Sequence, residues 1–520
     1  MALLAAAEAP RPFTAPTIEY AALAPILVVL GAAVLAVLVE AFVPRRARRS
    51  VQLVLALAAL VVAFVFVIRT AGTNELTAEG SVAVDGPTLF MQGTILVLAF
   101  CAALLIAERK VDPAGDAFTP RASALPGSQD EREFTRLGWL QTEVWPLFLF
   151  SVGGMLVFPA ASDLLTMFVA LEVMSLPLYL LVGLARRRRL LSQEAAMKYF
   201  VLGAFSSAFF LYGSALVYGF AGTIDLGGIA DALAAKPGES GLLIAGVALL
   251  SVGLLFKVSA APFHQWTPDV YQGAPTAITG FMSTCVKVAA FGALLRVMYV
   301  ALGGLQWDWR PMMWIIAILT MVIGSVVALT QSDIKRMLAY SSVAHAGFLL
   351  LGVIATNQSG LAGTEFYLLA YGFTTIGAFA VVSLVRDGTG EATHLSQWAG
   401  LGKRSPLVAT AFAVFLLALA GIPLTSGFIG KFAVFSAAVE GGATPLVIVA
   451  VLASAVAAFF YVRVIVLMFF SEPPADGPRV VVPSLFTSTA LAAGVAVTVV
   501  LGIAPQPVLD LVQRADVFVR

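Results

Sequence analysis

The chain has 520 residues, of which 60% are hydrophobic and 12% are Asp, Glu, Lys or Arg, and its formal net charge is +1. An average soluble protein has about 25% charged residues, so this composition excludes an ordinary soluble globular protein. Because about 20 apolar residues cross a bilayer as a helix, the length allows roughly a dozen or more spans. The composition therefore predicts a polytopic membrane protein.

Apolar runs separated by charged, Gly or Pro residues predict fourteen membrane segments. They lie near residues 21–43, 52–69, 87–107, 145–161, 163–184, 192–220, 241–260, 275–302, 311–330, 336–355, 363–385, 405–436, 443–470 and 482–505. Backbone polar groups must be satisfied inside lipid, and the segments lack the alternating pattern of a membrane barrel, so we expect helices. The predicted fold class is an all-α polytopic membrane protein.

The basic residues predict the orientation of these segments. If odd-numbered helices run from outside to inside, the inside connections hold 19 of the 31 Lys and Arg residues and the outside connections hold six. The largest inside clusters are 45–49, 109–136 and 186–189. Cytoplasmic connections are enriched in Lys and Arg, so both termini are expected outside.

The segments divide the chain into five predicted parts. These are an N-terminal three-helix segment (1–108), an inside polar loop (109–139), a five-helix repeat (145–302), a second five-helix repeat (311–470) and a C-terminal helix with its tail (482–520). The polar loop mixes Arg, Asp, Glu and Pro without apolar periodicity. It is most simply a solvated loop, and a docking role stays open.

Six basic residues fall within predicted spans: Lys198, Lys257, Lys287, Arg296, Lys431 and Arg463. Arg296 and Arg463 are expected to snorkel, because they lie within about two turns of predicted helix ends. The chain has 8 Lys and 23 Arg, yet four of the 8 lysines lie in spans. A buried lysine can release its proton, whereas arginine keeps its charge. Mid-membrane lysines therefore indicate proton carriers.

Glu172 supplies a carboxylate near the centre of the fifth segment. An unpaired buried carboxylate is costly, so a partner is expected. A single Glu–Lys pair that only holds helices together is the structural alternative. It would account for two of the ionisable residues in the spans, so we favour a functional interpretation.

Two segments carry helix breakers beside their lysines. Pro262 follows Lys257 by five residues, and Pro423 precedes Lys431 within a Gly-rich stretch. Broken backbone at membrane depth is tolerated where it lines a polar cavity, so these resemble the discontinuous helices of transporters. The breaks lie five spans apart, which predicts an inverted-topology repeat. His345 then corresponds to Glu172, and whether it relays protons or only packs stays open.

No redox or nucleotide motif accompanies these residues. The two cysteines form no CxxC, the sequence contains no GxGxxG or P-loop, and His264, His345 and His394 offer no obvious facing pair for a haem. We therefore expect no cofactor and no metal in this chain, and no nucleic-acid partner.

With these residues in place, the chain resembles the antiporter-like membrane subunits of respiratory complex I over about residues 145–470. The most specific stretches are MKYF from Met197, PFHQWTPDVYQGAP from Pro262 and DIKRMLAYSS from Asp333. Lys431 stands where one sister subunit of this family typically has Glu. The loop 109–139 looks longer than the usual connection in the family.

The resemblance implies fourteen helices, an inverted repeat and a central polar axis that moves protons. It implies that Glu172 and Lys198 form a switching pair. It also implies the roles of Lys257 beside the first broken helix, Lys287 and His345 on the axis, and Lys431 near the exit. Proton movement would be coupled to quinone reduction by partner subunits, which would carry flavin, iron–sulfur clusters and the quinone site.

Two other functions stay open at this stage. The first is a stand-alone or multisubunit cation/proton antiporter, which shares the membrane fold. The second is a membrane redox enzyme with its own haem or quinone site, which the missing motifs disfavour.

Overall fold

The computed structural model describes residues 18–112, 115–125, 127–236, 241–388, 390–474, 477–515 and 517–520. Its α-helices are α1 Tyr20–Phe42, α2 Arg45–Arg69, α3 Gly86–Ile106, α4 Gln129–Arg136, α5 Val144–Val157, α6 Leu164–Val182, α7 Arg189–Ala221, α8 Leu226–Ala235, α9 Gly241–Val258, α10 Trp266–Gly273, α11 Thr276–Phe281, α12 Lys287–Arg296, α13 Gln306–Thr330, α14 Ile334–Ala355, α15 Gln358–Leu384, α16 Leu401–Arg404, α17 Pro406–Ala420, α18 Ser426–Glu440, α19 Thr444–Phe470, α20 Leu485–Ile503 and α21 Gln506–Arg514. The predicted all-α membrane fold is confirmed.

Short strands occur only in connections of the described part of the chain. Strand β1 (Glu75–Thr77) pairs antiparallel with β2 (Val82–Val84), in a register that sets Glu75 opposite Val84. Strand β3 (Val385–Asp387) lies between β4 (Gly390–Glu391) and β5 (Arg479–Val480), antiparallel to both. Short 3₁₀ turns follow α5 and precede α13 and α16, and a π-helical turn follows α12.

Twelve helical segments among the described residues are long and apolar enough to cross a membrane, counting Thr276–Ala301 as one. The fourth predicted segment is the shorter helix α5, which a 3₁₀ turn extends to Ala160. The twelfth consists of two helices, α17 and α18. The total of fourteen spans and the division into two repeats stay predictions.

Acidic N-caps begin three of the buried helices. Asp85, Asp163 and Asp333 each accept hydrogen bonds from backbone amides in the first turn of α3, α6 and α14. A helix leaves four amides without partners at its N-terminus, and a capping carboxylate satisfies one or two of them. These aspartates therefore fix where the helices start at the membrane faces.

The helices differ strongly in burial. The apolar window of Thr276–Ala301 is wholly buried, and those of α14 and α15 are nearly so, whereas less than half of the window is buried in α1, α2, α7 and α19. Within a bilayer the exposed apolar faces contact lipid or partner chains. Lys287 and His345 thus lie on central helices, far from the lipid-facing surface.

The polar segment 109–139 is more ordered than a solvated loop. It contains helix α4 and packs against the 186–189 arginine cluster through three ion pairs, namely Asp112–Arg187 (2.8 Å), Asp116–Arg186 (2.7 Å) and Glu131–Arg189 (3.0 Å). Burial raises the pKa of Asp116 despite its arginine partner. Segments in contact share one membrane face, so these two predicted inside connections lie on the same side.

Arg296 does not snorkel, so that prediction is wrong. Its side chain is fully buried and forms an ion pair with Asp85 at 2.7 Å, while Nε donates to the Pro159 carbonyl at 2.8 Å. The backbone amide of Val519 also donates to Asp85. Arg463, in contrast, is exposed and donates to the Leu329 carbonyl, as expected for a side chain near the interface.

Candidate functional site: a buried line of lysines on broken helices

Lys257 lies at the end of α9, immediately before the first helix break. Its ammonium donates to Ser175 Oγ at 2.7 Å and lies about 5.6 Å from the ring centres of Tyr179 and Tyr199. The Ser175 hydroxyl in turn donates to the Leu171 carbonyl on α6. The serine therefore directs an oxygen lone pair towards the buried ammonium.

Glu172 lies one helical turn before Ser175. Its side chain is half-buried, and its Oε1 has no hydrogen-bond partner among the described residues. The carboxylate interacts electrostatically with Lys257. Because an unsatisfied buried carboxylate oxygen is costly, this group is poised to take a proton or a cationic partner.

Lys198 is not bonded to Glu172 as the family resemblance implied. Its ammonium contacts Glu194 and Asp269, each at 2.7 Å, and its side chain is 43% exposed. Asp269 also pairs with Arg336 at 2.6 Å. Lys198 lies on α7, which packs against α10, the helix that carries Asp269.

The first break separates α9 from α10. Ser259 has a φ of +67°, and Pro262 lies in the connection between the two helices. The carbonyl of Phe256, in the last turn of α9, accepts hydrogen bonds from the Ser259 amide at 3.1 Å and from the Trp266 indole at 3.0 Å. The predicted break is present, and the structure adds α10 beyond the predicted end of the seventh segment at 260.

Lys287 lies on the segment Thr276–Ala301, whose apolar window is wholly buried. A π-helical turn over Met282–Val286 directly precedes it. Its ammonium donates to the carbonyl and the Oγ of Ser342 on α14, at 2.6 and 2.8 Å. π-Helical turns often occur at functional sites, and this one interrupts the α-helical register immediately before the lysine.

His345 is hydrogen-bonded at both ring nitrogens. Nδ1 lies 2.7 Å from the Tyr367 hydroxyl and Nε2 lies 3.3 Å from the Tyr461 hydroxyl. Tyr461 also hydrogen-bonds Ser341, the residue next to the Ser342 that holds Lys287. A chain of hydroxyl and imidazole groups thus extends along α14 from the neighbourhood of Lys287.

Lys431 contacts the second break. Its ammonium donates to the carbonyls of Leu419 and Ala420, each at 3.0 Å, and to Ser454 Oγ at 2.9 Å. These carbonyls end α17, where the break at Gly421 and Pro423 leaves them without an intrahelical partner. The discontinuous helix therefore supplies the acceptors that a buried ammonium needs.

Gly421 has a φ of +82°, and a Cβ there would lie 2.9 Å from the Lys431 side chain. Glycine is accordingly required both by the backbone conformation and by the close approach of the lysine.

Lys257, Lys287, His345 and Lys431 are each at most 5% exposed. Sequence reasoning identified these ionisable groups but missed their uncharged partners, Ser175, Ser342, Tyr367 and Tyr461. Hydroxyl residues are common in apolar helices, so nothing in the sequence marks these four. The fully buried Glu365 was also missed, because it lies only two residues inside its predicted span.

Metal and cysteine chemistry receive no support from the described residues. Among them no group of three or more His, Cys, Asp or Glu could hold a metal ion, and Cys101 and Cys285 are buried free thiols.

Comparison with known proteins identifies the family to which this chain belongs. The family described as "NADH:quinone oxidoreductase/Mrp antiporter, TM" matches residues 161–469, more than half of the chain. The chain belongs to this family. A Rhodococcus opacus protein named NADH-quinone oxidoreductase subunit N is 66% identical, with 97% of each chain covered. That name agrees with the expectation from Lys431, which stands where one sister subunit of the family typically has Glu.

Solved structures of the family have the same fold. A chain of respiratory complex I from Thermus thermophilus with bound aureothin is 34% identical with a TM-score of 0.75, covering 94% of this chain and 98% of that chain. A chain of the Mrp complex from Dietzia sp. is 23% identical with a TM-score of 0.78, covering 95% and 97%. The second likeness shows the shared fold alone.

Proposed function

We propose that this chain is the proton-translocating membrane subunit N of a bacterial NADH:quinone oxidoreductase. The observation that carries the proposal is the set of buried lysines, each bound to hydroxyl or carbonyl oxygens beside an interrupted helix or on the central helices. When an ammonium is hydrogen-bonded only to neutral acceptors, releasing its proton costs little interaction free energy. An ammonium in an ion pair loses its attraction to the carboxylate as well. The high-identity relatives named subunit N support the assignment.

We assign the proton-translocation roles to Glu172, Lys198, Lys257, Lys287, His345 and Lys431. Lys198 acts with Asp269, and Glu172 acts with Lys257. The hydroxyl chain through Tyr461 and Tyr367 joins the region of Lys287 to His345. Proton transfer along this axis is proposed to be coupled to quinone reduction in partner subunits.

The proposed complex consists of other membrane subunits and a hydrophilic arm in the bacterial cell (inner) membrane. The flavin, the iron–sulfur clusters and the quinone site belong to those partners, and this chain contributes no redox centre. Co-purification of flavin and iron–sulfur subunits distinguishes this assignment from a cation/proton antiporter, which lacks them.

Both termini are proposed to face outside, with the 186–189 cluster inside. A single cysteine at Arg187 should react with a membrane-impermeant maleimide only after the membrane is permeabilised. The matched control is a cysteine at Arg69, in a predicted outside connection, which should react in intact cells. Labelling of the Arg187 position in intact cells would contradict the orientation.

Substitution of Glu172 tests whether proton transfer is coupled to quinone-linked NADH oxidation. Glu172→Gln keeps the size and hydrogen bonding of the side chain but cannot titrate, so quinone-linked NADH oxidation and proton pumping should fall together. Moving one charge against 100 mV costs about 2.3 kcal/mol. An uncoupler removes only that load, and should therefore not restore activity lost with the proton carrier.

The control for Glu172→Gln is electron transfer from NADH to an artificial acceptor, which reports an intact hydrophilic arm and should be unchanged. Glu133→Gln, at an exposed position of α4, provides a matched substitution with little expected effect on turnover. Normal quinone-linked turnover with normal pumping in Glu172→Gln would refute the role of this carboxylate.

A further inference from the structure

A large basic cleft lies apart from the lysine axis, at the membrane face that carries the connection between α1 and α2. Its volume is about 1170 Å³. It is bordered by that connection, by parts of the polar segment 109–139 and by the next four residues, 140–143. Six arginines line it: Arg45, Arg46, Arg48, Arg49, Arg109 and Arg121. None of them has a part in the proposed proton path.

The cleft keeps a surplus of positive charge. Glu40 and Glu143 are its only acidic lining residues in the described part of the chain. Glu40 is already bound by Arg48 at 3.2 Å and by Gln52 at 2.7 Å. The guanidinium groups of Arg46 and Arg109 form no ion pair or hydrogen bond with other described residues, and Arg109 repels Arg49 electrostatically. The six arginines of the cleft therefore outnumber its two acidic residues among the described residues.

Aromatic rings hold two of the arginines in position. The Arg45 guanidinium lies 3.9 Å from the ring centre of Trp139, and that of Arg121 lies 4.9 Å from the ring centre of Phe134. The two rings contact each other, with centres 4.7 Å apart. A guanidinium fixed by stacking still presents its N–H groups to an anion, with less conformational entropy to lose on binding.

The cleft continues into an apolar surface. Ser50 lines the cleft, and Val54 and Val61 follow on the same face of α2, 66% and 50% exposed. Phe42, at the end of α1, is 81% exposed. The guanidinium groups thus lie at one end of an apolar stripe on α2, which is the arrangement that matches an anionic lipid with its headgroup at the arginines and its acyl chains along the stripe.

We propose that this cleft binds the phosphodiester headgroup of an anionic phospholipid, whose acyl chains lie along α1 and α2. The inference is independent of the proton path. A free phosphate ion would share the headgroup chemistry but would not use the apolar stripe. An acidic segment of a partner protein would use the arginines but would not require apolar exposure on the membrane-facing side of α2.

The test uses the complete membrane complex that contains this chain, purified in mild detergent and washed of loosely bound lipid. The cleft variant, Arg46→Gln with Arg109→Gln, removes the two guanidinium groups that have no ion pair. The matched control, Arg132→Gln with Arg136→Gln, removes the same charge from exposed positions of α4 outside the cleft. Native mass spectrometry counts retained phospholipids, and titrations measure binding of phosphatidylglycerol, phosphatidylcholine and inorganic phosphate.

Wild type and control should retain one more anionic phospholipid than the cleft variant. Phosphatidylglycerol affinity should fall about thirtyfold in the cleft variant, and about fivefold in each single variant, because each basic residue near an anionic lipid contributes a similar factor. Phosphatidylcholine should bind weakly to all forms.

Four results would overturn the proposal. Equal lipid loss in the cleft and control variants would indicate general surface charge. Phosphatidylcholine binding as tight as that of phosphatidylglycerol would exclude headgroup recognition. Displacement of the lipid by inorganic phosphate at equal concentration would indicate a free-phosphate site. Loss of a partner subunit from the cleft variant, with its lipid retained, would indicate a protein contact.

Discussion

Replacing Lys287 by arginine should reduce proton pumping nearly as much as replacing it by alanine, at least about tenfold in each case, because arginine keeps the charge but cannot release the proton. The ammonium is fully enclosed and donates to the Ser342 carbonyl and Oγ. If Lys287 only balanced charge or joined α12 to α14, a guanidinium would retain both functions. The two substitutions therefore separate proton transfer from a purely structural role.

Pumping is measured in vesicles that contain the whole complex, with a pH-sensitive dye inside and NADH as the electron donor. Arg463→Lys provides a control in which a basic residue changes at an exposed position. Native electrophoresis shows whether each variant assembles. Normal pumping by assembled Lys287→Arg would make Lys287 a fixed structural cation and would remove it from the proposed axis.

Replacing Arg296 by methionine should destabilise the chain by about 3–5 kcal/mol, because it leaves the Asp85 carboxylate buried without its partner. Both side chains have no exposed surface, and the ion pair is 2.7 Å long. Arg296 also holds the Pro159 carbonyl, so three segments at one membrane face lose their common contact. We expect little assembled complex and a large fall in its thermal midpoint.

A double variant tests the physical cause. Asp85→Asn combined with Arg296→Met removes both charges but keeps a side-chain oxygen to cap α3, so it should be more stable than Arg296→Met alone. The exposed Arg463→Met should cost less than about 1 kcal/mol. Equal stability of the Arg296→Met and wild-type complexes would show that the buried pair does not hold this face together.

Several features follow from local sequence alone. The apolar runs have the length and hydropathy of membrane helices, so the all-α fold could be predicted before any packing was known. The breaks at Pro262 and Pro423 could be predicted because proline removes an amide donor and is confined to special backbone positions. The buried lysines could be identified because a charge within an apolar run has no local solvation.

The partners of those residues could not be predicted, because they depend on which helices pack together. Asp85 lies 211 positions before Arg296, and the N-cap aspartate looks like an ordinary residue of a connection. Lys257 is held by an uncharged serine 82 positions away. The prediction that Arg296 snorkels used only its distance from a predicted helix end, whereas its burial depends on the neighbouring segments that enclose it.

The sequence by itself determined the fold class, the positions of the helix breaks and the identity of the titratable groups, since each depends on a few neighbouring residues. Only the tertiary structure decided that Lys198 contacts Asp269, that Ser342 holds Lys287 and that Tyr461 and Tyr367 flank His345. It also decided that the polar segment 109–139 packs against arginines instead of remaining solvated. The physical reason is that a hydrogen bond or ion pair between distant segments exists only where folding brings both groups within about 3 Å.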